Sequence, residues 1–181
     1  MTSFSYDGVT TATPLAVLKN TGDLANVNVL NMFLGNIPGT IGETSVVCLL
    51  VGAAYLLIRR VIKPVIPFTY IGTFAVLIMI YAVASGRGFD LTFLAAHLCG
   101  GGLMLGAFFM ATDYVTSPIT PAGQIIYGIC CGLLTGIFRC FGANAEGVSF
   151  AIILSNILVP IIEKFTIPRA FGLAKEAKKN E

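Results

Sequence analysis

The chain has 181 residues, 56% of them hydrophobic and 11% charged, with 11 Lys and Arg against 9 Asp and Glu for a formal net charge of +2. Soluble domains average about 45–50% apolar and about 25% charged residues, so this composition excludes an ordinary water-soluble globule and describes an integral membrane protein. The small positive balance implies no nucleic-acid partner, because the basic residues sort by side of the membrane and not into a patch.

The chain opens on a polar stretch, Asp7-Gly8-Val9-Thr10-Thr11-Ala12-Thr13, followed by Pro14-Leu15. The start Met1-Thr2-Ser3 has no basic region ahead of an apolar run, so no cleavable signal peptide is expected and insertion falls to the helices. On residue type alone, Thr13 before Pro14 reads as a helix N-cap with proline at the first helical position. The same stretch also has what a transferase acting on Thr13 needs: an acidic residue at a fixed offset and small residues around the hydroxyl. Self-modification is not expected, because the nearest cation is Lys19 and no histidine lies beside the threonine to activate it.

Five apolar segments follow, over 44-58, 65-84, 91-112, 122-138 and 148-162. Crossing about 30 Å of hydrocarbon takes roughly 17–25 residues of helix, so the first and last are short. The expectation is an all-α membrane protein of five transmembrane helices. It divides into an extracytoplasmic segment 1-43, a transmembrane domain 44-163 and a basic cytoplasmic tail 164-181. Glu43, in Gly42-Glu43-Thr44-Ser45, stands at the start of the first helix, where a carboxylate complements the helix dipole; an ion or proton contact near the membrane face is the alternative. Arg59, Arg60, Lys63, Lys164, Arg169, Lys175, Lys178 and Lys179 fall on one side of the bundle, and Lys19, Arg87 and Arg139 on the other. The positive-inside rule then puts the C-terminus in the cytoplasm and the N-terminus outside.

Within the spans, Cys48, Cys99, Cys130, Cys131 and Cys140 form no Cys-x-x-Cys and no cysteine-histidine ligand spacing, so they read as small packing residues and no metal site is expected. His97, in Ala-Ala-His-Leu-Cys, is either hydrogen-bonded to a neighbouring helix or a proton or cofactor contact, since ionisable residues inside a membrane are costly and often functional. Gly128, Gly132 and Gly136 recur every four residues, and Gly102 and Gly106 repeat the spacing after Gly100-Gly101-Gly102; such faces let helix backbones approach closely. The connection from Phe109 to Gly123 holds Asp113, Thr116 and two prolines. It is either a turn in which Thr116 or Ser117 starts the next helix, or broken backbone lining a polar cavity.

Three motifs in order carry a family resemblance: Asp-x-x-Thr-x-Ala-Thr-Pro-Leu at Asp7 to Leu15, Gly-x-x-Gly-Glu-Thr-Ser at Gly39 to Ser45, and Phe-Met-Ala-Thr-Asp-x-Val-Thr-Ser-Pro at Phe109 to Pro118. Together they resemble the D subunits of Rnf ion-translocating electron transport complexes and the related B subunits of sodium-translocating NADH:quinone reductases.

The resemblance implies FMN bound covalently through a phosphoester to Thr13, installed by a flavin transferase that recognises Asp7 and Ala12, with Thr11 where glycine is often found. It implies a urea-transporter-like fold of about ten helices in two inverted repeats, of which these five look like the second. It further implies a place in the bacterial plasma membrane beside the other subunits of a ferredoxin:NAD oxidoreductase, within membrane lipid, and no turnover by this chain alone. Glu43, Asp113, Thr116 and His97 are then candidates for an ion path or for contacts to a second, non-covalent flavin. Half of a solute channel without flavin and a purely structural membrane subunit are the rival readings, since fold does not fix function.

Overall fold

The computed structural model describes residues 13, 15, 16, 18, 28–37, 39, 42–142 and 147–166. Asp7, Thr11, Ala12 and the tail beyond Thr166 lie outside the described residues. The described elements are helical throughout: α1 (Val29–Leu34), α2 (Val46–Ile58), α3 (Val65–Ala84), α4 (Leu91–Cys99), α5 (Leu103–Met110), α6 (Pro121–Phe141) and α7 (Val148–Thr166). The second half of α5, Gly106–Met110, is a π-helical turn.

Helices α3, α6 and α7, of 20, 21 and 19 residues, are long and apolar enough to cross a membrane. The five expected segments are all helical, but two differ from a plain span. At 13 residues α2 rises only roughly 20 Å, short of the hydrocarbon thickness. The third segment is not continuous: α4 and α5 meet at a 63° bend and make at most one broken span. Gly101 and Gly102 cause the break, with φ of 63° and 65°, a left-handed backbone that costs any residue with a Cβ about 1–2 kcal/mol.

The core is built on α6. A Cβ on Gly128 would meet Thr69, one on Gly132 would meet Thr73, and one on Gly136 would meet Leu77, so both helices advance four residues per contact and α3 and α6 run parallel. Tyr127 Oη donates to Asn156 Oδ1 at 2.6 Å and Thr120 Oγ1 donates to Thr166 Oγ1 at 2.8 Å, so α7 returns antiparallel on the other flank. Tyr70, Phe74, Ile78, Tyr127 and Cys131 are fully buried between these helices. At the end of the bundle holding the α2–α3 and α5–α6 connections, Tyr114 Oη donates to the Val61 carbonyl and the Ile119 amide donates to Glu163 at 3.1 Å.

The α3–α6 seam carries one buried polar pair, Tyr70 Oη and Thr135 Oγ1, 2.6 Å apart. Removing one partner leaves the other buried without its hydrogen bond, at about 1–3 kcal/mol, whereas removing both exposes no orphan. Tyr70→Phe and Thr135→Val are therefore expected each to lower stability, and the double variant to fall less than the sum, in a thermal unfolding cycle. Strict additivity would show that the hydroxyls do not depend on each other.

Candidate functional site

At the end of the bundle away from the Tyr114–Val61 bond, the chain ahead of α2 folds onto the α4–α5 break. Thr13 Oγ1 accepts the Ala16 amide at 3.4 Å, the N-cap arrangement expected from residue type, and Leu15 and Leu18 insert into the core. Asn28 caps α1, accepting from the Leu30 and Asn31 amides at 3.1 and 3.4 Å, and Met32 of α1 is buried. Gly35 closes α1 with φ 91°, and a Cβ there would lie 2.7 Å from Ser45 Cβ. This close approach sets residues 43–45 beside α1. Ser45, not Glu43, caps α2, accepting from the Cys48 amide at 3.4 Å. The Glu43 side chain lies instead against Gly102, where its Oε2 occupies the space a Cβ would need.

Beneath this layer sits Arg139 of α6, 3% exposed. Its guanidinium donates to the carbonyls of His97, Gly100 and Gly101, the last two at 2.8 and 3.0 Å, and lies 5.0 Å from the centre of the Phe74 ring. Helix C-terminal carbonyls at membrane depth need donors, and a cation there also complements the α4 dipole. Arg139 supplies both functions at the break.

The layers enclose a cleft with about 310 Å³ of free space, counting the part open to solvent, whose walls include Thr13, Gly39, Glu43, Cys99, Gly100 and Gly101. None of its described lining residues is a histidine or lysine, and Glu43 is the carboxylate on the described walls. The Thr13 hydroxyl stands half-buried at the wall, but the space a Cβ would need at Gly101 is already taken by Leu15 and Arg139 and the room left between the walls is about that of a single water, so the cleft offers an attachment point and no closed pocket for a planar ring.

The expected site residues thus fall into two groups. Thr13 and Glu43 share the cleft, and His97 lies under its floor, with its ring edge-on to Phe93 at 4.4 Å between centroids. Asp113 and Thr116 lie at the far end of the bundle on a turn, where Thr116 Oγ1 donates to Asp113 Oδ2 at 3.3 Å and Asp113 is exposed. Thr120, not Thr116 or Ser117, caps the next helix, with Pro121 in its first turn. All five cysteines are free thiols. Arg139 escaped the sequence reading, which counted it only as a charge on one side of the membrane. Its signal was a lone arginine near the end of an apolar 21-residue helix.

The sequence matches the model of the NQR2, RnfD, RnfE family over residues 1–172. Among curated proteins it is 45% identical to the D subunit of the Na(+)-translocating ferredoxin:NAD(+) oxidoreductase complex of Acetobacterium woodii, over 99% of this chain and 55% of the relative. It is 41% identical to the D subunit of the proton-translocating ferredoxin:NAD(+) oxidoreductase complex of Clostridium ljungdahlii, over 95% and 54%. A third relative, the D subunit of the ion-translocating oxidoreductase complex of Actinobacillus succinogenes, is 36% identical over 93% and 48%. The chain therefore spans about half the length of these relatives. With the family model matched along nearly the whole sequence, the chain belongs to the NQR2, RnfD, RnfE family.

Proposed function

We propose that this chain is a membrane subunit of an ion-translocating electron transport complex of the ferredoxin:NAD oxidoreductase type, and that it carries FMN esterified through its phosphate to Thr13. The observation that carries the reading is the place of Thr13: the threonine that the family resemblance makes the attachment point lies on a cleft lined by Gly39, Gly100 and Gly101 and built from three separate parts of the chain. FMN on Thr13 would supply one- and two-electron redox chemistry, while position and field come from the protein.

The residues of this chain divide the work. Leu15 and Leu18 anchor the Thr13 turn in the core, so the hydroxyl is held at the wall while a transferase reads Asp7 and Ala12. Gly100 and Gly101 give the floor no side chains, and Arg139 holds them in place from below. The turn at Asp113 and Thr116 is then the other face of an ion path, with the C-terminal side of the bundle in the cytoplasm and the cleft outside. Ferredoxin and NAD react on other subunits of the complex in the plasma membrane.

Intact mass of the chain purified from cells expressing a flavin transferase tests this directly. The expected result is one added FMN less water, with in-gel flavin fluorescence, and loss of both in Thr13→Ala. An unmodified wild-type chain, with the transferase active on a control substrate, would replace this reading with a flavin-free channel half or structural subunit.

A further inference from the structure

Among the described residues every left-handed position is a glycine except one, Arg60, with φ 55°. It closes α2 at the position where helices ordinarily place glycine: the Arg60 amide donates to the Leu57 carbonyl at 3.0 Å and the Val61 amide to the Leu56 carbonyl at 2.9 Å. Helix α3 ends on the same pair of bonds, from Gly86 to Val83 and from Arg87 to Ala82, both at 3.1 Å, and there the left-handed residue is Gly86. The arginine therefore carries strain that a glycine would remove. Complementing the α2 dipole does not require it, because Arg59 already stands at that helix end in right-handed geometry. Strain retained at an exposed cation points to a use for the side chain.

Arg59, Arg60 and Lys63 are all exposed within this one turn. Asp113 and Glu163, the described carboxylates at this end of the bundle, are engaged elsewhere: Asp113 accepts from Thr116 Oγ1 at 3.3 Å and Glu163 from the Ile119 amide at 3.1 Å. The turn lies just ahead of Val65, where the membrane-crossing α3 begins, so its cations stand at the boundary between hydrocarbon and headgroups. Tyr55 and Ile58 on the last turn of α2, and Val61 in the connection, are exposed beside them and offer apolar surface to acyl chains. Tyr114 Oη, donating to the Val61 carbonyl, ties the turn to the α5–α6 connection, so the cations are presented on a fixed backbone. A guanidinium matches the paired oxygens of a phosphate. We propose that the Arg59–Lys63 turn binds the phosphate headgroup of an anionic membrane lipid, with Arg60 as the principal contact and the acyl chains against Tyr55, Ile58 and Val61. An acidic surface on another protein would match the cations but leave the apolar rim unused. The site is independent of any group on Thr13.

The test reconstitutes the full chain into vesicles of equal parts phosphatidylcholine and phosphatidylglycerol, extracts it in mild detergent, and measures the lipid that co-elutes on gel filtration by mass spectrometry. The wild type is expected to retain phosphatidylglycerol over phosphatidylcholine, and Arg60→Gly to lose that preference by about fivefold, the effect of one basic residue near an anionic surface. Glycine relieves the backbone, so the unfolding midpoint of Arg60→Gly in phosphatidylcholine alone is expected to equal or exceed that of wild type, which separates lost binding from lost folding. Arg60→Lys keeps the charge and most of the preference. Lys164→Gln removes one charge from the same end of the bundle, outside the turn, and is expected to leave the preference unchanged. A wild type without preference, an Arg60→Gly chain that keeps it, or an equal fall in Lys164→Gln overturns the proposal, the last because it shows attraction to overall charge and no site. Should Arg60→Gly unfold more readily than wild type, Arg60→Gln decides: a fall of about fivefold supports the proposal and an unchanged preference overturns it. Inorganic phosphate, added against chloride at equal ionic strength, separates the sources of the phosphate group: retention that persists supports the lipid, and displacement overturns it in favour of a soluble phosphate.

Discussion

Gly132→Val is expected to abolish assembly of the helical core, and Gly132→Ala to weaken it severely. A Cβ at Gly132 would lie 2.8 Å from the Tyr70 carbonyl oxygen and 3.0 Å from the Phe74 amide nitrogen. Both atoms are backbone of α3, so relief requires moving a whole helix. Overpacking of a dense interior costs typically about 1–3 kcal/mol for one added group, and valine adds two more methyls at the same point. The same four-residue stripe supplies a graded comparison. At Gly136 the three atoms nearest the added Cβ all belong to the Leu77 side chain, at 2.7 to 3.2 Å, and a side chain can rotate away, so Gly136→Ala is expected to be milder. Gly72, on the exposed face of α3, has nothing within 4 Å, and its replacement by alanine is expected to be neutral or stabilising by up to about 1 kcal/mol. Thermal unfolding in detergent, read by exposure of the buried Cys131 thiol, ranks the variants. A midpoint for Gly132→Ala equal to that of Gly72→Ala would mean that α3 and α6 do not approach as closely as described.

This seam shows what a pattern in the sequence says and what it leaves out. Gly128, Gly132 and Gly136 announce a smooth face by their spacing alone, but spacing on one helix is silent about its partner. Thr69, Thr73 and Leu77 show no comparable signature, and only their register against the glycines identifies α3. The run Gly100-Gly101-Gly102 misled in the opposite way. Read as packing inside a continuous span over 91-112, it instead ends α4 and starts α5 at a 63° bend. Three consecutive glycines weaken a helix by about 1 kcal/mol each, so a break was physically available there, but hydropathy does not register it. The cleft itself was legible only in part. Thr13 and Glu43 lie in separate motifs with no sequence feature linking them, and the cleft they share is completed by residues that read as unremarkable, Met32 and Ile37 among them. Arg139 was invisible as a site residue because the hydrogen bonds that place it at the break go to the backbone carbonyls of His97, Gly100 and Gly101, and every residue has a carbonyl.

Gly101→Ala is the substitution expected to damage the cleft most for the smallest change in mass. The residue has φ 63°, so alanine incurs left-handed strain of about 1–2 kcal/mol wherever such a glycine occurs. Gly88 measures that strain alone, because it has φ 72° with nothing within 4 Å of an added Cβ. At Gly101 the methyl also meets Leu15 Cδ2 at 2.6 Å and Arg139 Nη2 at 2.8 Å. Neither has an easy retreat. Leu15 is 2% exposed within the main core, and moving the guanidinium gives up hydrogen bonds to carbonyls, worth about 1.5–3 kcal/mol each when one partner is charged. The expected result is a loss of stability larger for Gly101→Ala than for Gly88→Ala by about 1–3 kcal/mol. A fall in the fraction of chains modified at Thr13 should accompany it, because Leu15 carries the Thr13 turn with it when displaced. Unfolding midpoints compare the two alanines, and intact mass after expression with a flavin transferase compares their modification. Equal stability losses would show that the methyl meets no resistance at the break. Full modification despite a larger loss would show that Leu15 yields without moving Thr13, and that the acceptor turn is held from the α1 side of the cleft.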